Sequence, residues 1–207
     1  MAKKVPSIVK EIRNNPPSPI NFAFQKNISY SQMSIFRGCP HRWKLQYKDK
    51  IKRFTSSIHT VFGTAVHESM QHYLDVAYEK SFAAADREID IKDHFQNAYI
   101  SEYQVQYKKN NNEHFSDASE MREFFEDGIA ILEWFKKKRS RYFSKKGTYL
   151  VGCELPIVIA PNKMYNNVLY MGYLDVVTYH EETETFKIID IKTSTKGWND
   201  YSKKDED

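Results

Sequence analysis

Apolar residues at Phe62, Val66, Met70, Tyr73, Leu74 and Ala77 recur every three or four positions, the repeat of a helix with one buried face. Met121, Phe124, Phe125, Ile129, Leu132 and Phe135 show the same repeat inside residues 116–141, and residues 81–109 are amphipathic in the same way. Asn110, Asn111 and Asn112 separate these last two helices. Further on, the pattern changes. Residues 151–159, 168–179 and 185–193 are rich in β-branched and aromatic side chains, with a turn-rich stretch at 161–167 and a hairpin-sized polar stretch at 180–184 between them. These predict an antiparallel three-stranded meander, joined to the first helix by a two-helix insert over about residues 81–145. Residues 1–27 are polar around Pro16, Pro17 and Pro19 and are expected as a flexible arm, and residues 196–207 as a polar, frayed tail.

The chain has 207 residues, 41% hydrophobic and 14% aromatic, enough for one substantial domain with a helical annex. No apolar run is long enough to span a bilayer, so no membrane partner is expected. Two cysteines, Cys39 and Cys153, without a secretory framework point to a reducing compartment. The formal net charge of +4 suits a polyanion partner without demanding one. Its distribution is more informative. Arg37, His41, Arg42, Lys44, Lys48, Lys50, Lys52 and Arg53 form one basic cluster, and Lys136, Lys137, Lys138, Arg139, Arg141, Lys145 and Lys146 form another. Such clusters hold phosphates without reading sequence, although the second fits a solvated helix end equally well. Trp43, Tyr47 and Phe54 interleave the first cluster, where rings either stack on unpaired bases or enter a core.

Each of the three strands carries an acid: Glu154, Asp175 and Asp190. Asp175 precedes Asp190, Ile191 and Lys192 by the length of one hairpin, which places two carboxylates and an ammonium on neighbouring strand ends. Because side chains alternate along a strand, Asp190 and Lys192 share a face while Ile189 and Ile191 take the other. Charges in an apolar strand must be paired or coordinate something. An ordinary exposed salt bridge accounts for them, and so does a site that holds one metal ion and one scissile phosphate. His67, at the edge of the first helix's apolar stripe, is either a metal ligand or a satisfied surface histidine. No sequence repeat, P-loop, dinucleotide turn, Ser/His/Asp elbow or zinc-type cysteine pair is present.

The succession Gly63-Thr-Ala-Val-His67, Glu154, Gly172-Tyr-Leu-Asp175 and Asp190-Ile-Lys-Thr193 resembles the RecB-type exonucleases of the PD-(D/E)XK superfamily, which include CRISPR-associated and phage nucleases. Residues 29–47, with Cys39-Pro-His-Arg-Trp43, look like that family's N-terminal helix. The resemblance covers about residues 28–195 and implies an α+β, restriction-endonuclease-like domain with a helical N-terminal region. It further implies that His67, Asp175, Asp190 and the Ile191 carbonyl hold Mg²⁺ or Mn²⁺ and that Lys192 is the catalytic lysine. Glu154 either touches the ligands, serves a second metal, or pairs with a basic side chain. Arg37, Arg42, Trp43, Lys44 and Tyr47 are the expected nucleic-acid contacts.

The implied activity is that of a metal-dependent DNA exonuclease or flap-type nuclease. It would act on single-stranded or unwinding ends in recombination, repair or CRISPR spacer processing, in the cytoplasm of a bacterial or phage-infected cell. The alternative is a non-catalytic or partner-completed nucleic-acid-binding subunit. Two departures matter. No Gln-x-x-x-Tyr motif follows Lys192, so the core is expected to be incomplete at the C-terminus, with a second polypeptide as one way to complete it. Cys39 sits where relatives ligate a 4Fe-4S cluster, but two cysteines cannot supply four thiolates, so no such cluster is expected in this chain alone and Cys39 is expected as a buried residue at a kink before Pro40.

Overall fold

A computed structural model of the chain describes residues 5–16, 26–51, 56–143, 145–159 and 168–193. Seven α-helices and four strands are formed there: α1 (Ser7–Asn14), β1 (Lys26–Ile28), α2 (Tyr30–Gly38), α3 (Pro40–Trp43), α4 (Ile58–Glu79), α5 (Phe82–Glu88), α6 (Ile91–Lys109), α7 (Ala118–Tyr142), β2 (Thr148–Ile159), β3 (Val168–His180) and β4 (Thr185–Ile189). A single π-helical turn, Lys44–Lys48, continues α3. None of these helices is long and apolar enough to cross a membrane. The expected turn at 161–167 and tail at 196–207 lie outside the described residues.

Local chemistry sets the helix starts. Ser57, Ser81, Asp90 and Asp117 each turn a side-chain oxygen back onto the first free N–H groups of α4, α5, α6 and α7. Asp90 also explains why the expected helix over 81–109 is two helices. Ile89 is extended, with φ −112° and ψ 112°, and Asp90 accepts from Lys92 N and Asp93 N to begin a new helix.

α4 is the central element, and α5, α6 and α7 pack around it. Its Val61, Phe62, Ala65, Val66, Tyr73 and Leu74 join Phe95, Leu132 and Phe135 in the main core, which continues onto the sheet at Leu150 and Val176. A second, smaller core lies on α1. Val9 packs there with Val151, Val177 and Tyr179, so the sheet is clamped between α1 and the α4 layer. The segment expected as a flexible arm therefore contains a docked helix. Arg13 of α1 strengthens the dock by donating to the Leu150 and Val151 carbonyls, where the β2–β3 register shifts by one residue.

The sheet contains the expected antiparallel meander, β2–β3–β4, and one strand more. β1 pairs parallel with the start of β3, Lys26↔Val168 to Ile28↔Tyr170, while β4 pairs antiparallel with its end, Val176↔Ile189 to His180↔Thr185. β2 pairs with β3 over nearly its whole length. The third strand also ends sooner than its composition suggests, at Ile189, so residues 190–193 leave the sheet. This separation opens the site.

Candidate metal centre

On α4, Gly63, His67, Gln71 and Asp75 stand four residues apart and so form one polar stripe along the helix. Each meets the sheet side of the molecule. A Cβ on Gly63 would lie 3.2 Å from Thr193 Oγ1, so this glycine admits the chain after β4 close to the helix. The His67 imidazole Nδ1 is 3.8 Å from Asp175 Oδ2, too long for a hydrogen bond. Gln71 Nε2 donates to Glu154 Oε1 at 3.0 Å and approaches the Asp175 carbonyl oxygen at 3.4 Å. Asp75 lies against Cys153, whose thiol is pushed up to about 12 by burial and, secondarily, by that carboxylate. Cys153 is therefore a thiol at neutral pH, and so a poor nucleophile.

The two carboxylates reach α4 through a break in strand alternation. The pairs Cys153↔Val176 and Leu155↔Leu174 bracket Glu154 and Asp175, which puts the two acids opposite each other. In an unbroken strand Cys153 and Leu155 share a face. Here Cys153 packs on the α4-side core and Leu155 on the α1-side core, and Val176 and Leu174 divide likewise. The device is Glu154 itself, whose φ of +48° lies in the left-handed region that side chains other than glycine seldom adopt. Such a conformation costs about 1–3 kcal/mol and collects at functional sites.

His67, Glu154 and Asp175 each offer a ligand atom within 4.8 Å of the other two, the group among the described residues that could hold a metal ion. Neither Glu154 nor Asp175 has a lysine or arginine ion pair among the described residues, so the two carboxylates face each other with the His67 imidazole and the Gln71 amide alongside and the Lys192 ammonium near enough to act on Asp175. That donor set suits a divalent cation. Asp175 Oδ2 also accepts the Ile191 N–H at 2.7 Å, so residue 191 enters the site through its amide, where the resemblance implied its carbonyl.

Asp190 is the main difference from expectation, since it stands outside the converging group. β4 has left β3 by this point, and the Asp190 carboxylate turns to Lys192 Nζ at 2.7 Å. That hydrogen bond raises the lysine above its ordinary range and keeps it an ammonium. Both side chains are about 60% exposed, so the pair adds little to stability and can be exchanged at small cost. Cys39 also differs. It forms the expected kink, but its side chain is exposed and its Sγ accepts from Arg42 N at 3.4 Å as the cap of α3.

Arg37, Arg42 and Lys44 are exposed, and Trp43 and Tyr47 are half-buried. In the second basic cluster, Lys136 and Arg139 are drawn onto Asp86, which also accepts from the Tyr73 hydroxyl, so two of its cations tie α7 to α5 and α4. Gln71 was not singled out from the sequence, although its place one helical turn after His67 was the available signal.

No curated protein and no solved structure matches the chain. One family model does, over residues 27–206, and it spans the stripe on α4, the paired carboxylates and the Asp190–Lys192 strand end alike. The chain belongs to the PD-(D/E)XK nuclease superfamily.

Proposed function

We propose that the protein is a metal-dependent deoxyribonuclease that hydrolyses phosphodiester bonds at single-stranded or unwinding DNA ends, as an exonuclease or flap-type nuclease in recombination, repair or spacer processing. The observation that supports this best is the convergence of His67, Glu154 and Asp175 beside the strand end bearing Asp190 and Lys192. A divalent ion held by such ligands polarises a phosphoryl oxygen and makes bound water nucleophilic near neutral pH. One imidazole among carboxylates suits Mn²⁺ as well as Mg²⁺.

The chain's own groups take the remaining roles. Asp175 is both ligand and anchor, since the Ile191 N–H fixes Oδ2, the oxygen that also faces His67. Lys192, released from Asp190, donates to the phosphate or orients the attacking water. Asp190, freed in the same exchange, would be a further carboxylate for holding the ion. Gln71 holds Glu154 in place without touching the substrate. Gln71→Ala is expected to weaken Mn²⁺ binding about 10–100-fold, measured by titration calorimetry, as loss of a ligand's outer hydrogen-bond partner does. An unchanged affinity would show that Glu154 needs no such support.

The test of function is cleavage of an end-labelled single strand with and without Mn²⁺. Lys192→Ala and Asp190→Ala are each expected to remove cleavage while the strand still binds. Cleavage that survives both changes refutes the assignment. A second reading, a binding subunit that does not cleave, draws on the position of Asp190 outside the ligand group. Strand binding without cleavage in Mn²⁺ or Mg²⁺ by the unaltered protein would favour it.

A further inference from the structure

We infer that residues 30–51 form a docking ridge for an unpaired nucleic-acid strand, with rings taking bases and cations taking phosphates. The inference deepens the nuclease reading and rests on it. Charge is the first ground. Residues 30–51 hold five lysines and arginines against one aspartate, a balance of +4, which equals the formal net charge of the whole chain. The second basic cluster, residues 136–146, differs in that Lys136 and Arg139 are committed to Asp86. Among the described residues the one acid, Asp49, pairs only with Lys44, at 3.9 Å between exposed groups, and Arg37, Arg42, Lys48 and Lys50 form no ion pair.

The rings are the second ground. Neither α2, α3 nor the π-helical turn has a buried residue. Phe36, 50% exposed, meets Trp43 edge-on at 5.5 Å, and Trp43 stacks on Tyr47 at 6.3 Å and 27°. Among the described residues these rings pack on one another, and neither hydrophobic core includes them. A π turn is rare and often functional, and its wider i→i+5 ladder brings Trp43 and Tyr47 nearly into line along the axis. Rings stacked beside clustered cations are the elements of a single-strand platform, because every unpaired base has a face to offer. Duplex bases are already stacked and would use the cations alone. A protein partner fits less well, since protein interfaces are depleted in lysine, of which this segment holds Lys44, Lys48 and Lys50.

Placement is the third ground. β1 runs parallel to β3 and ends with Ile28 opposite Tyr170, so the chain enters α2 heading toward Asp175, five residues further along β3. At strand spacing that separation is roughly 17 Å. The ridge thus starts beside β3, the strand that carries Asp175.

The test is fluorescence anisotropy with labelled oligo(dT) and with a blunt duplex of equal length, in EDTA so that cleavage plays no part. Oligo(dT) is expected to bind at least about tenfold more tightly than the duplex, and Trp43→Ala and Tyr47→Ala each to weaken it about tenfold with the salt dependence unchanged. Arg42→Gln is expected to reduce the salt slope by about 0.7. Should a ring variant fail to fold, photocrosslinking of the unaltered protein to an iododeoxyuridine oligonucleotide decides, with adducts expected on Trp43 or Tyr47. Equal binding of duplex, undiminished binding by the ring variants, or adducts that map elsewhere would overturn the ridge. Cleavage in Mn²⁺ without binding at the ridge overturns the ridge and leaves the nuclease, whereas binding in EDTA without cleavage in Mn²⁺ does the reverse.

Discussion

Asp175→Asn is expected to lower Mn²⁺-dependent cleavage by on the order of 10³-fold while the protein stays folded. Asparagine keeps the size of the side chain, and its amide oxygen can still accept the Ile191 N–H that Asp175 accepts at 2.7 Å. What it loses is the negative charge opposite Glu154 and beside His67. In the metal-free protein that loss relieves a cross-strand repulsion, so thermal stability should hold or rise, by up to about 1 kcal/mol. Activity and stability would then move in opposite directions, as at a site where charges are crowded to bind an ion. Circular dichroism melts beside a single-turnover assay measure both. Cleavage within tenfold of the unaltered protein would remove Asp175 from the centre.

Phe95→Ala should cost about 3–5 kcal/mol, the usual range for deleting a fully buried aromatic side chain. Phe95 on α6 is wholly inaccessible, stacks with Phe125 at 5.6 Å, and covers Gly128 of α7. A Cβ on Gly128 would stand 2.2 Å from the Phe95 ring, a distance that forces the ring or the helix to move. Gly128→Ala alone therefore sets about 1–3 kcal/mol of overpacking against about 1 kcal/mol of helix propensity, and destabilisation wins. In the Phe95→Ala background the obstruction is gone, and the same Gly128→Ala change should stabilise. Urea denaturation of the four proteins reads this reversal of sign. Additive effects would mean that the two helices do not press together at this point.

Much of the architecture is visible in the pattern of apolar residues, because α4 and α7 bury one face each and write a helical period into the chain, while β2 and β3, covered on both faces, show as apolar runs, and β4, exposed over residues 185–188, shows only through its β-branched and aromatic content. Elements that depend on single side chains or distant pairings are less visible. Nothing at Ile89 announces a helix end except Asp90, whose capping competes with the amphipathic repeat running through it. β1 is only three residues long, and its partner in β3 lies far along the chain. α1 was hidden by the polar composition of the segment around it, since Val9 alone of its residues is buried.

The site divides in the same way. His67 and Asp175 follow from motif order, and their approach rests on a regular helix lying over the β2–β3 pair. Glu154 could not be ranked, because its place depends on a positive φ that glutamate does not signal. The resemblance implies Asp190 among the ligands, whereas here β4 ends at Ile189 and the Asp190 carboxylate pairs with Lys192. Gln71 follows from the helical spacing of His67 only once the helix is known to lie over β2 and β3.

Anomalous scattering from a crystal soaked in Mn²⁺ examines the central claim most directly, since it locates the ion without reference to activity. The account predicts one strong peak at about 2.1 Å from an imidazole nitrogen of His67 and a carboxylate oxygen of Asp175, with Glu154 on the same ion. A well-occupied peak elsewhere, or none at these three side chains under saturating manganese, would contradict it.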